Sequence, residues 1–323
     1  MPNYQGVWSL STQYQAQGQG IWYVAPLHAV HKLGSGTGVD YINLASAGNS
    51  TDFGDMSISV NYLAGFSSST RAIFGMGYAG GNTDTIEFTT IATTGSFTDF
   101  GNALTAHYGA MGLSNSSRGI FAGHSGGGTA SNVIQYVTIA SAGNTTDFGD
   151  MTSGKYLGAA CSSTTRGILS GGTTSFTGTS AQNIIEFITI ANTGNATDFG
   201  DLSIKHYNMG GLSSNTRGVF AGGEKPSPNQ MLTANTIEFI TISSAGNVTD
   251  FGDLTNPAGQ ARSNPVWGTS GSNGRGIFII GQSTSASIDS ITISSTGNSI
   301  DFGDSTSAPG AGAVTSGSHG GLA

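Results

Sequence analysis

The sequence predicts an all-β fold, a closed propeller of six blades with four antiparallel strands in each. Three observations lead there. A unit of about fifty residues repeats along the chain, a period typical of propellers. Glycine-rich turns interrupt every segment before a helical pattern can develop. The last residues match the one strand that the first repeat lacks.

The repeat is marked by Asp-Phe-Gly, which starts at Asp52, Asp99, Asp147, Asp198, Asp250 and Asp301, at spacings of 47, 48, 51, 52 and 51 residues. Gly-Asn-x-Thr precedes it in most copies, as in Gly194-Asn195-Ala196-Thr197. Each copy divides into four short strands, A to D. In the copy around residue 220, strand A is small and apolar, Met209-Gly210-Gly211-Leu212. A Ser/Thr/Asn turn leads to strand B, Arg217-Gly218-Val219-Phe220-Ala221, which ends at Gly222-Gly223. After a variable loop, strand C, Ile237-Glu238-Phe239-Ile240-Thr241-Ile242, alternates as a half-buried strand does. A Gly-Asn turn then gives strand D around Thr249-Asp250-Phe251.

Composition agrees. The chain has 323 residues, 52 of them Gly, and is 37% hydrophobic, enough for a large core. Charged residues make up 9%, against about 25% in an ordinary globular protein. Closure follows from alignment. Gly20-Ile21-Trp22 matches Gly218-Val219-Phe220, so the first copy is expected to begin at strand B. Ala311-Gly312-Ala313-Val314 falls where a strand A belongs, so it is expected to complete the first blade and leave no open sheet edge. Residues 1–19 are then an N-terminal arm, and 20–323 the propeller.

The few charges sit at repeated positions. Eleven of the 18 acids lie in the Asp-Phe-Gly units. Asp40, Glu87, Glu186, Glu238 and Asp289 share one strand C position, with Gln135 in the remaining copy; only Asp84 and Glu224 fall elsewhere. Arg71, Arg118, Arg166, Arg217 and Arg275 open strand B, with Gln19 in that place in the first copy. A charge present in every blade is not catalytic, because an active site is made once. These arginines are expected to form structural ion pairs with acids such as Glu87, Glu186 and Glu238, or with the Asp-Phe-Gly aspartates.

Several classes of function are disfavoured. A net charge of −8 argues against nucleic-acid binding, which needs clustered cations. No apolar run reaches membrane-spanning length, so membrane insertion is not expected. Met1-Pro2-Asn3-Tyr4-Gln5-Gly6 has no basic stretch followed by an apolar core, so no signal peptide is expected. The Asp-Phe-Gly-Asp turns lack the dense oxygen ligands of a calcium loop. Six histidines are scattered without ligand spacing, and Cys161 occupies a core position of strand A. No metal, cofactor or enzymatic activity is expected.

Strand direction sorts the loops onto two faces. The A–B and C–D turns are alike in every blade, whereas the B–C and D–A loops differ. Variable loops on a rigid scaffold are where recognition usually resides. At the start of strand A, on that variable face, stand Tyr108, Tyr156 and Tyr207, with Tyr62 displaced by one residue. His107 and His206 adjoin two of them, and Trp267 lies nearby in the fifth copy. These seven side chains are expected around the mouth of the central channel, where aromatic faces with polar edges suit sugars. The bland alternative is that the tyrosines are repeat residues packed between blades.

An apolar run ending in Gly222-Gly223, followed by Glu238-Phe239 on the next strand, resembles the kelch motif. The resemblance covers residues 20 to 323. The phenylalanine of Asp-Phe-Gly stands where the fourth kelch strand carries tryptophan. The aromatic, glutamine-rich leader with the Asn-x-Thr-Asp-Phe-Gly-Asp repeats behind it is similar to structural proteins of marine phages, including those of cyanobacteria. That resemblance implies a virion protein of a tail or fibre, made in the host cytoplasm. The arm, with Tyr4, Trp8 and Tyr14, would dock onto other tail proteins, and the variable face would contact host surface polysaccharide. A purely structural connector between tail components, and a secreted carbohydrate-active enzyme, are the alternatives.

Overall fold

The computed structural model describes residues 27–126, 128–175, 180–226, 231–255, 265–281, 286–306 and 310–322. The arm at residues 1–19, with Tyr4, Trp8 and Tyr14, lies outside them, and so does Gly20-Ile21-Trp22. The described chain is a six-bladed β-propeller.

Blade 1 combines β1 (His28–Lys32), β2 (Gly38–Asn43) and β3 (Thr51–Asp55). Blade 2 holds β4 (Ala64–Ser67), β5 (Arg71–Gly75), β6 (Thr83–Thr90) and β7 (Thr98–His107). Blade 3 holds β8 (Met111–Ser114), β9 (Arg118–Gly126), β10 (Thr129–Thr138) and β11 (Thr146–Asp150). Blade 4 holds β12 (Ala159–Ser162), β13 (Arg166–Ser170), β14 (Gln182–Thr189) and β15 (Thr197–His206). Blade 5 holds β16 (Gly210–Ser213), β17 (Arg217–Ala221), β20 (Thr236–Thr241) and β21 (Thr249–Asp253), with a small hairpin of β18 (Glu224–Pro226) and β19 (Met231–Thr233) in its B–C loop. Blade 6 holds β22 (Val266–Ser270), β23 (Arg275–Gly281), β24 (Ala286–Thr292) and β25 (Ile300–Ser305). The final strand, β26 (Ala313–Ser316), returns to blade 1 and pairs with β1, giving the order β26-β1-β2-β3. The C-terminal strand therefore closes the ring, two residues further along than the sequence alignment places it.

Strand B of blade 1 is a correction to the sequence reading. Register puts β1 in that role, with His31 opposite Asp40 and His28 opposite Asn43. These pairs correspond to Phe220 opposite Glu238 and Arg217 opposite Thr241 in blade 5. His28, not Gln19, occupies the arginine position, and His28–Lys32 form strand B.

The core lies between blades. Six apolar clusters fill the six interfaces, each mixing residues of neighbouring blades; Val30, Phe53 and Phe74 share one such cluster. The Asp-Phe-Gly motif builds these interfaces. In every blade the C–D register slips at this point, so that Asp40 faces Asp52 and Val39 faces Gly54, with Phe53 left as the bulged residue. A bulge bends the outer strand and turns the phenylalanine inward: Phe53, Phe100, Phe148, Phe199, Phe251 and Phe302 are all buried.

The next blade's Gly-Asn turn clasps the bulge. Gly194 N–H donates to the Phe148 carbonyl (2.7 Å), Ala196 N–H to the Asp150 carbonyl (2.8 Å), and Asp150 N–H to Asn195 Oδ1 (3.0 Å). Gly149, at φ +145°, lies so close that a Cβ would stand 2.5 Å from the Gly194 carbonyl oxygen. Gly149→Ala is therefore expected to destabilise the protein by about 3 kcal/mol or more. Gly143→Ala, where a Cβ meets nothing within 4 Å, is expected to change stability by less than about 0.5 kcal/mol. Paired urea titrations check this; equal midpoints would refute the clasp.

The repeated charges form further ties between blades, and here the expected arginine–acid pairs are corrected. Arg71 faces Thr90, three positions along β6 from Glu87, which itself faces Phe74. That offset is about 10 Å of strand, beyond ion-pair reach. Each arginine instead lies over an aromatic ring at 4.3–5.0 Å and donates to a carbonyl of the next blade. Arg71 reaches Ile139, Arg118 Ile190, Arg166 Ile242, Arg217 Ile293 and Arg275 Leu44. His28 completes the circle: it packs on Tyr41 at 4.4 Å, and its Nδ1 donates to the Ile91 carbonyl at 3.2 Å.

The strand C acids accept hydrogen bonds from the preceding blade. Glu87 accepts from Ser57, Glu186 from Thr152 N–H (2.7 Å) and Asp289 from Thr255 N–H (2.8 Å). Gln135 does the same for Leu104 N–H (3.0 Å), so an uncharged acceptor serves there. Glu238 is bonded by Ser203, while burial outweighs that help and raises its pKa. Among the described residues the ion pair is Lys155–Glu186, 2.7 Å and fully buried; His31, kept neutral by burial, lies 3.8 Å from Asp40.

Candidate functional site

The innermost strands line a central channel whose two ends differ. At the uniform face, six serines make a closed circuit. Ser67 Oγ donates to the Ser316 carbonyl, Ser114 to Ser67, Ser162 to Ser114, Ser213 to Ser162, Ser270 to Ser213 and Ser316 to Ser270; the first five bonds are 2.5–2.7 Å. The C-terminal residues after β26 then fold across the opening. Gly321 N–H donates to His319 Nδ1 at 3.1 Å, which leaves the proton on Nε2. Nε2 lies 3.1 Å from Ser114 Oγ and 3.3 Å from the Ser67 carbonyl. His319 and its neighbours thus plug this end.

The other end opens on the variable face. A backbone circuit frames it: Gly109 N–H donates to Tyr62, Leu157 to Gly109, Asn208 to Leu157 and Val266 to Asn208, at 2.7–2.9 Å. Tyr62, Leu157 and Asn208 all adopt φ of 55–57°. Left-handed backbone at a bulky residue is costly and concentrates at functional sites. It also explains the displacement of Tyr62. Asn61 makes the bridge that Tyr108, Tyr156 and Tyr207 make in their blades, and Tyr62 takes the left-handed position that follows.

The tyrosines do meet. Ring centroids are 5.9 Å apart for Tyr62–Tyr108 and 6.1 Å for Tyr108–Tyr156, and Tyr78 joins from a B–C loop at 6.0 Å from Tyr108. They divide by exposure. Tyr62, Tyr108 and Trp267 are part-exposed. Tyr156 and Tyr207 are buried at 0% and 5%, and so are His107 and His206. The buried four pack the mouth from behind, as the bland reading expects; the first three, with the exposed Tyr78 beside them, can touch a ligand directly.

Sequence reasoning missed the polar centre of this mouth. Glu224, at the start of β18, is buried and accepts from Tyr207 Oη (2.5 Å) and Asn208 Nδ2 (2.7 Å). Its signal in the sequence is that it is one of two acids outside the repeated positions. Burial, then the carboxylate of Glu224, raises the pKa of Tyr62; burial followed by the Glu224 hydrogen bond raises that of Tyr207. Burial pushes Tyr156 up to about 12. All three hydroxyls therefore keep their protons. Burial also holds His206 down at about 4, with Lys225 adding to the effect. His107 stacks on His124 with centroids 3.3 Å apart, and both titrate low because they are buried.

Among the described residues no three of His, Cys, Asp and Glu converge as a metal-binding group. Cys161 is a buried side chain in the core cluster between blades 4 and 5, and burial raises its pKa. The mouth can stack flat apolar groups, offer neutral hydroxyls and present one amide oxygen. Neither a protein-family model nor a curated protein matches this sequence.

Proposed function

We propose that this chain is a non-enzymatic virion protein of a bacteriophage tail or fibre, a kelch-like propeller whose variable face binds a glycan of the host surface. The arm at residues 1–19 would carry the docking to other tail proteins. The phage reading rests on the resemblance of the leader and repeats. The binding reading rests on the mouth: three strained left-handed residues and a cluster of tyrosines gather on the face where the loops differ. The repeated charges are engaged in ties between blades, which supports a structural rather than a catalytic use for them.

A glycan array of neutral, acidic, amino and N-acetylated oligosaccharides tests binding. The triple variant Tyr62→Ala, Tyr108→Ala, Trp267→Ala removes the three part-exposed rings predicted from the sequence and spares the buried ones. The wild type is expected to bind at least one member, and the variant to lose that binding while still melting cooperatively as a folded monomer, at a lowered temperature because Trp267 also packs on the core cluster between blades 6 and 1. A wild type that binds nothing, or a variant that binds as well, would leave the connector between tail components as the better reading. The uniform face, with its like Ser/Thr/Asn turns in successive blades, suits that role.

A further inference from the structure

Resting on the glycan reading, we infer that the channel mouth is an acetamido pocket: it takes the N-acetyl group of an N-acetylated amino sugar and leaves the sugar ring at the rim. Three observations lead there. The first is size. The cavity inside the mouth measures about 100 Å³. A dry cavity of about 150 Å³ holds a benzene ring of six heavy atoms. Scaled by volume, this one holds about four, the number in an acetamido group and far fewer than in a hexose. The plug of His319 and the serine circuit close its far end, so a long chain cannot thread through.

The second observation is the lining. Ala110, Met111 and Met209 supply small and polarisable apolar surface suited to a methyl group. The third is the orientation of one amide. Asn208 lines the cavity, and its Nδ2 is held by the buried carboxylate of Glu224 at 2.7 Å. That bond uses one of the two Nδ2 N–H groups and fixes the orientation of the amide, and its acceptor Oδ1 matches an amide N–H. A protonated amine or a hydroxyl at the same place would leave the apolar wall without a methyl partner. Tyr62 and Trp267, part-exposed on the same lining, provide faces for the sugar ring.

The test uses the full chain and the methyl glycosides of N-acetylglucosamine, N-acetylgalactosamine and N-acetylmannosamine. Each is compared with its free-amine and its hydroxyl counterpart, by saturation-transfer NMR and competition titration. At least one acetamido sugar is expected to bind tenfold or more tightly than both counterparts, with its acetyl methyl most strongly saturated. Ala110→Leu fills the cavity, and Asn208→Gly removes the acceptor while keeping the left-handed backbone. Each should weaken binding tenfold or more, Ala110→Leu with unchanged melting temperature and Asn208→Gly with a lowered one, because it also takes a hydrogen bond from buried Glu224. Array binding that shows no preference for acetamido sugars, or that survives both variants, would overturn the pocket and leave the glycan reading standing. Absence of binding to every array member would overturn both.

Discussion

Deleting residues 308–323 is expected to cost the protein its folded monomeric state. This segment contains β26, which pairs with β1 through four residues, from Ala29–Ser316 to Lys32–Ala313. All four residues of β26 are buried. Val314 belongs to the core cluster between blades 6 and 1, and Ala313 to the one between blades 1 and 2. Without them both interfaces flanking blade 1 open, and β1 becomes a bare edge strand carrying Ala29 and Val30. The serine circuit also breaks at two points, because Ser316 both accepts from Ser67 and donates to Ser270. A loss of this kind exceeds a single core truncation, so destabilisation of about 5 kcal/mol or more is expected, or aggregation. Light scattering after gel filtration, with urea unfolding of whatever monomer remains, reads the outcome. A truncated chain that stays monomeric and unfolds at the full-length midpoint would refute closure by β26.

Acid is expected to unfold the ring well before most carboxylates are protonated. His31, His206 and His319 are held at about 4, and His124 at about 3, in each case chiefly by burial. The nearest charged groups modify this. Asp40 opposes the shift at His31, whereas His107 and Lys225 add to it at His124 and His206. A histidine with a lowered folded pKa is neutral in the native state while the unfolded chain already takes up a proton. Stability from these groups is therefore fully present above about pH 6.5 and declines as pH falls towards about 4. Each contributes at most roughly 1.4 kcal/mol per pH unit in that window, and four together up to roughly 5.5 kcal/mol per unit. Glu238, with its raised pKa, works in the opposite direction at the acid end. Urea midpoints at pH 7, 6 and 5 should fall steadily, and His319→Gln should flatten the slope by about one proton. A midpoint constant from pH 7 to pH 5 would contradict the assignment. Lys32 gives the mirror case at alkaline pH. Burial lowers it to about 8, so its contribution to stability rises from about pH 8 to pH 10.5, opposed above about pH 9 by Cys161, whose buried thiol keeps its proton while the unfolded thiol ionises.

The fold was legible because a repeat prints the same physical demand six times. Strand C alternation, the Gly-Asn turns and the missing inner strand needed no long-range information. The first strand B was misplaced for a local reason. His28 and His31 stand where the other blades have Arg and, in most of them, Phe, so the alignment slid to the apolar Gly20-Ile21-Trp22. The charge partners were misread for a different reason. A sequence period shows which residues are equivalent but not how one blade is staggered against the next. The period suggests a repeated acid as the partner of Arg71, whereas its hydrogen-bond partner is the Ile139 carbonyl of the following blade. The mouth was half legible. Four tyrosines could be placed near the axis by strand order, but which of them would be covered depends on loops such as β18–β19, whose course no periodicity dictates. Glu224 was noticed only as an acid out of place.

The clasp at each Asp-Phe-Gly bulge has a consequence for how such a ring can grow. Every unit carries the bulge that the following turn grips and the turn that grips the preceding bulge, and the arginine and acid ties are halved in the same way. Duplicating one unit would therefore add a blade without leaving any of these bonds unmatched. The limit lies at the axis. There a Cβ on Gly112 would come within 2.5 Å of the Gly65 carbonyl oxygen, and a single histidine spans from Gly321 to the serine circuit. A seventh unit would widen that circle beyond what His319 can stopper, so the unit count and the length of the C-terminal plug are bound to change together.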